Sequence, residues 1–178
     1  MRPLVIFVLS LIWPIAAVAD FSQSDIAGTW TFIGTYNIHE NDGEVDDAGT
    51  FFCRTNVDEN GNVLASGSYC LSRHTKTFDR KPEASYEIKT NIAGGKLWVN
   101  SKGDVDGRFA FCGGLVRPLP RTEYEPDYFD ECDFSYIDYM RLSSDKQIVT
   151  GTMRLEDSLS RYPYYIEDPV MQFTGYKH

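Results

Sequence analysis

The sequence predicts an all-β protein, a single antiparallel up-and-down β-barrel of about 8–9 strands stabilised by disulfides. Three observations carry that prediction. Apolar and polar residues alternate with a period of two along most of the chain, and no stretch repeats with the helical period. Turn residues separate the alternating runs at short intervals, as at Asn60-Gly61, Gly94-Gly95, Lys102-Gly103-Asp104 and Ser143-Ser144-Asp145-Lys146. Each run is followed directly by a turn, and no low-complexity linker divides the chain. This favours one meandering barrel over a Greek-key sandwich, and closure removes the exposed strand edges that invite aggregation.

Residues 1–19 stand apart from the fold. Arg2 supplies a positive charge, an apolar run follows from Leu4 to Ile15, and Ala17-Val18-Ala19 offers small residues for cleavage. That layout is a secretory signal peptide, and the run is shorter than the roughly 20 residues of a bilayer-spanning helix. Residues 20–178 are then one domain, with no membrane span after cleavage, in a secreted or periplasmic protein.

The formal net charge is −9, and losing Arg2 with the signal takes the mature value to −9 − 1 = −10. An acidic chain without a Lys/Arg cluster is a poor partner for nucleic acid, whose phosphates need neutralising, and for an anionic membrane surface. It leaves room for a basic protein or a cation.

Four cysteines, Cys53, Cys70, Cys112 and Cys132, form an even set in a chain read as exported, which argues for disulfides. Of three possible connectivities, Cys53–Cys70 with Cys112–Cys132 has the best local geometry, since each pair brackets one hairpin. No C-x-x-C or nearby Cys/His spacing points to zinc.

The predicted strands follow in order. Trp30, Phe32, Gly34 and Tyr36 share one face of the first; residues 37–47 read as a loop. Residues 49–56 and 63–72 form a hairpin about Asn60-Gly61, with Cys53 and Cys70 within about two residues of direct opposition, a gap that a bulge closes. Residues 73–82 read as a connection. Residues 84–92 carry Tyr86, Ile88, Thr90 and Ile92 on one face; Gly94-Gly95 then turns the chain into a further strand over 96–100. Residues 105–112 place Phe109 and Phe111 on one face, leaving Cys112 on the other. Strands over 133–142, 147–156 and 170–177 complete the set.

Ile26-Ala27-Gly28-Thr29-Trp30, just ahead of the first strand, resembles the Gly-x-Trp that opens the lipocalins and related calycin barrels, avidins included. In those families the Trp closes one end of the barrel, and a basic residue late in the chain packs over it. Arg154 and Lys177 are the candidates for that role. The resemblance implies a cavity for a small molecule inside the barrel.

The functional residues sort into an interior set and a loop. Trp30, Phe32, Tyr36, Tyr86, Phe109, Phe111 and Tyr136 are the inward candidates for holding a small apolar or amphipathic ligand. Residues 113–131 read as a long loop tethered at the barrel rim by Cys112–Cys132. There Tyr124, Tyr128 and Phe129 alternate with carboxylates, Asp130 among them. Long loops are usually functional, and rigid aromatics among charges suit a docking site for a basic protein, such as a hydrolase that the chain would inhibit. Residues 56–61 imitate the first half of a calcium loop, but Gly67 stands where the bidentate carboxylate belongs, so a hairpin turn explains them and no metal is expected. Neither is a cofactor. For catalysis there is no motif: His39, His74 and His178 lie beside no nucleophile, and a hydrolase would need a carboxylate pair converging in a cleft.

Overall fold

The structure, a computed structural model, describes residues 20–39, 45–78, 81–119, 127–156 and 170–178. The predicted signal peptide lies outside them. A short 3-10 turn, Gln23–Ile26, precedes eight strands: β1 Gly28–His39, β2 Val45–Val57, β3 Asn62–Phe78, β4 Lys81–Val99, β5 Asp104–Leu119, β6 Asp127–Leu142, β7 Ile148–Glu156 and β8 Val170–Lys177. Each strand pairs antiparallel with the next, and β8 pairs back onto β1 to close the barrel.

Alternation decides which face each residue takes. Trp30, Phe32 and Tyr36 point inward and are buried, whereas Ile33 between them is 52 % exposed. Among the described residues the inward rows are mostly apolar, with Thr55 and Ser135 the buried polar exceptions on β2 and β6. The outward rows carry Arg54, Arg73, Lys89, Asp106, Arg108, Asp138 and Arg141, all exposed. That polarity is the reverse of a bilayer-spanning barrel, whose outer band is apolar and whose interior is polar. No helix among the described residues is long and apolar enough to cross a membrane.

The hairpin between β2 and β3 turns as its sequence predicts. Asp58 Oδ1 accepts the N–H groups of Asn60 and Asn62 at 2.9 and 2.8 Å, and Gly61 adopts φ 82°. The pairing then slips: Asn56 faces Leu64, but Arg54 faces Tyr69, so residues 65–68 of β3 bulge out. Ser68 ties the bulge down, its Oγ accepting from Asn56 N at 2.9 Å and donating to Leu64 O at 2.5 Å. This slip is what sets Cys53 directly opposite Cys70.

Four expectations about element boundaries are corrected. Gly94-Gly95 is not a turn but a bulge inside β4, where a side chain at Gly95 would collide with the backbone carbonyl of Arg108; two predicted strands merge into one, which makes eight strands rather than nine. Residues 73–78 and 81–82 are strand, not connection, and so are 37–39 and 45–47. Residues 113–119 continue β5 and 127–131 open β6, so these parts of the predicted loop are strand, and 120–126 lie outside the described residues. In the last three cases ladder partners on at least one neighbouring strand draw these residues into the sheet, overriding their weak local preference.

Candidate ligand site in the barrel interior

One end of the barrel is sealed. Trp30 is fully buried, and its Nε1 donates to Ile26 O at 2.7 Å, which pins the 3-10 turn across the opening. Lys177 on β8 reaches back beneath it, its Nζ 5.8 Å from the Trp30 ring centroid and donating to Asp25 O at 3.0 Å. Of the two basic candidates, Lys177 takes the place over Trp30. Arg154 faces outward and pairs with Asp138 at 2.8 Å. Register explains the choice, because Trp30 sits directly opposite Lys177.

Asp25 organises the cap. Its carboxylate pairs with Lys146 Nζ at 2.9 Å and accepts from Ser22 N at 2.7 Å and Ser22 Oγ at 3.1 Å. Burial pushes its pKa up, but the bonds from Lys146 and Ser22 outweigh that, and the net shift is downward from 3.8. Gln23 completes the seal, donating to Leu97 O at 2.9 Å and accepting from Val99 N at 3.1 Å.

Above this plug lies a floor of aromatic rings. Phe32 meets Phe173 at 5.6 Å and Phe109 at 6.5 Å between centroids, both edge-on, and Phe109 meets Phe111 at 6.2 Å. Ile92, Met153 and the Cys53–Cys70 bridge fill the gaps, leaving an apolar void of about 10 Å³. That is room for about one water molecule, against about 300–1,000 Å³ for a typical ligand site. Higher up, the Tyr36 ring lies over Gly49, where a side chain would collide with it. The described part of the interior is therefore a packed core. A sizeable ligand has no room among these residues.

Of the inward candidates, the structure gathers Trp30, Phe32, Tyr36, Phe109 and Phe111 inside the barrel. Tyr136 is a correction: it is 39 % exposed on the outer surface, because Ser135 and Ile137 take the inward positions of β6. Tyr86, Tyr128, Phe129 and Asp130 lie on β4 and β6, but their side chains fall outside the described residues, as does Tyr124 altogether. The sequence reading missed Phe51, Met153 and Phe173 as interior residues, whereas Ile92 falls on the face it gave to Tyr86. Phe173 was legible, since Met171, Phe173 and Gly175 alternate against polar neighbours. Phe51 shares the parity of Cys53.

Cys112–Cys132 lies outside the core, as the parity of Phe109 and Phe111 predicts, with Cys132 exposed. It is not at the rim: β5 runs on to Leu119 beyond it. Two buried hydroxyls, Thr55 Oγ1 and Ser135 Oγ, have no hydrogen-bond partner among the described residues.

Among the described residues no group of three or more His, Cys, Asp or Glu side chains converges on a metal position. In the stretch that imitates a calcium loop, Asp58 is spent on its own turn, bonding Asn62 Nδ2 at 2.8 Å besides the two backbone N–H groups. Its pKa is lowered chiefly by the Asn62 side chain. No protein-family model matches the chain, and no curated protein matches it. The two disulfides suit an oxidising, extracytoplasmic compartment.

Proposed function

We propose that the protein is an exported, calycin-like binding protein that holds a small apolar or amphipathic molecule in its barrel, on the side of the aromatic floor away from Trp30. The observation that carries this reading is the sealed, apolar base of the interior. One end is shut by Trp30, Lys177 and the 3-10 turn, and the level above it is an all-apolar floor of Phe32, Phe109, Phe111, Phe173, Ile92 and Met153. A closed base beneath an apolar floor is a receptacle for a ligand entering from the other end. The Gly28-x-Trp30 opening with a basic residue packed over the Trp supports the lipocalin or avidin type of calycin barrel.

Native mass spectrometry against long-chain fatty acids, alcohols and polyenes tests the reading. A member of the set is expected to be retained, and at a hundredfold excess over its Kd it raises stability by about 2.7 kcal/mol. Phe111→Asp, which charges the floor, should abolish retention while Trp30 stays buried by fluorescence. If no compound is retained or shifts the melting temperature, the interior is core only. Docking of a basic protein through 113–131 then takes its place, tested by replacing Tyr124, Tyr128 and Asp130 together in a pull-down.

A further inference from the structure

The two ladders that flank β5 both slip at Gly113. Toward β4, Cys112 faces Asn91 and Gly114 faces Thr90, so Gly113 is an extra residue. Its φ of 62° is the left-handed conformation that such a bulge assigns to glycine. Toward β6, Cys112 faces Cys132 and Gly114 faces Phe129, which leaves 130–131 without a place in the ladder. Beyond the slip, Gly114, Leu115 and Val116 pair with Phe129, Tyr128 and Asp127. On the other side of β6, β7 ends at Glu156, opposite Phe134. Among the described residues, the 127–131 end of β6 is thus held by those ladder pairs on one side and by the covalent bond at Cys132. Cys132 is exposed. The inner bridge is placed differently. Cys53 and Cys70 are 5 % and 8 % exposed, and Phe32 on β1 and Thr90 on β4 flank them in one unbroken row.

We propose that Cys112–Cys132 is a redox clasp, a thiol–disulfide exchange site whose reduction by a dithiol frees the 127–131 end of β6 from the barrel wall. Exposure selects the bond. Exchange depends on access to the attacked sulfur, and exposed disulfides are the labile, regulatory ones. The incoming thiolate attacks Cys132 Sγ; the S–S bond breaks, and its electron pair leaves on Cys112 Sγ, which takes a proton from water. The second thiolate of the dithiol then attacks its own partner sulfur in the mixed disulfide. That step closes the reductant's disulfide and releases Cys132 as a thiolate, protonated in turn, so two electrons pass from the dithiol to the pair. Position gives the chemistry its consequence. Without the bridge, the strand end is joined to β5 across a register defect, so it opens locally while the ladder from Asp104 to Ala110 stays paired. Cys112 and Cys132 are directly opposed whenever the end returns, so a disulfide oxidant closes the clasp again. Neither step depends on a ligand in the interior.

Hydrogen–deuterium exchange of the native protein in graded dithiothreitol, with alkylation and mass mapping of the thiols, tests the proposal. Cys112–Cys132 should open first. The amides of 127–131 should then exchange about ten- to a hundredfold faster, part of what a bridge closing a loop of this length contributes, while 104–110 and 135–142 keep their rates. Removing the reductant and adding cystamine should restore both the bridge and the protection. Cys112→Ser with Cys132→Ser should show the fast rates without reductant and gain nothing from it, which separates the clasp from any effect at the inner bridge. Bridges that open only together, as the barrel unfolds, overturn the proposal. So does an open Cys112–Cys132 with 127–131 exchanging at the oxidised rate, or a loss of protection that spreads through 104–110 and 135–142. The wild-type measurements decide these outcomes even where the serine variant does not fold.

Discussion

Cys53–Cys70 and Cys112–Cys132 join directly opposed residues of neighbouring antiparallel strands. Their Cα atoms are 4.0 Å apart in both, and their sequence separations are 17 and 20. Their surroundings differ. Cys53 and Cys70 are buried and border the apolar void with Phe32, Phe109 and Phe173, whereas Cys132 is exposed on the outer surface. The parity of neighbouring side chains decides this. Cys53 shares the inward face of β2 with Phe51 and Thr55, while Phe109 and Phe111 leave Cys112 the outward face of β5. One bridge is a packing element of the core, and the other is a surface clamp across two strands. The same covalent unit takes its physical role from the face it occupies.

Replacing each pair by alanine is the strongest way to break this comparison. Both substitutions forfeit about 3 kcal/mol of chain-entropy stabilisation. Cys53→Ala with Cys70→Ala also enlarges a void in the core, so its total loss should reach about 4 kcal/mol or more, read by urea unfolding. Equal losses at the two sites would show that the buried bridge contributes no packing. Serine sharpens the contrast. At 53 and 70 it adds buried hydroxyls and costs about 1–3 kcal/mol more than alanine, whereas at 112 and 132 serine and alanine should unfold alike. Accessibility follows the same division: under graded reductant, alkylation and mass mapping should find Cys112–Cys132 opening in the native protein, and Cys53–Cys70 only as the barrel unfolds.

Smaller effects probe the buried side and the sealed end. Thr55 lies beside the inner bridge with a hydroxyl that has no partner among the described residues. Thr55→Val should therefore be neutral or stabilising by up to about 1 kcal/mol, checked by thermal melting. Acid acts at neither bridge but at Asp25. Its folded pKa is below 3.8, so the stability it contributes is present above that pH and is lost as pH falls through the folded value. Lys146→Met removes the partner ammonium and should shallow the acid limb of a Trp-fluorescence titration below pH 3.8 without altering the neutral baseline.

What the sequence could show followed what alternation encodes. Period two gave the all-β class, the inward positions of Trp30, Phe32, Tyr36, Phe109 and Phe111, and, with hairpin bracketing, the disulfide pairing. It misplaced Tyr136 because the inward parity of β6 is set by Ser135 and Ile137, a small polar and an aliphatic residue that look less like core than the tyrosine between them. It read Gly94-Gly95 as a turn because local signals do not distinguish a reversal from a bulge, where glycine instead lets two backbones approach. It left Arg154 and Lys177 as equal candidates over Trp30, since only the β1–β8 register separates them. That register is a contact between the two ends of the chain, and no local pattern records it.

That pairing also governs when the molecule becomes itself. Trp30 is covered by Lys177, which lies in the last strand, Val170–Lys177. A nascent chain lacking those residues has seven strands at most, with β1 and β7 both left as open edges and the base of the barrel uncapped. Closure must therefore wait until that strand has been made, and until then the chain is an edge-exposed intermediate of the kind that other proteins bind.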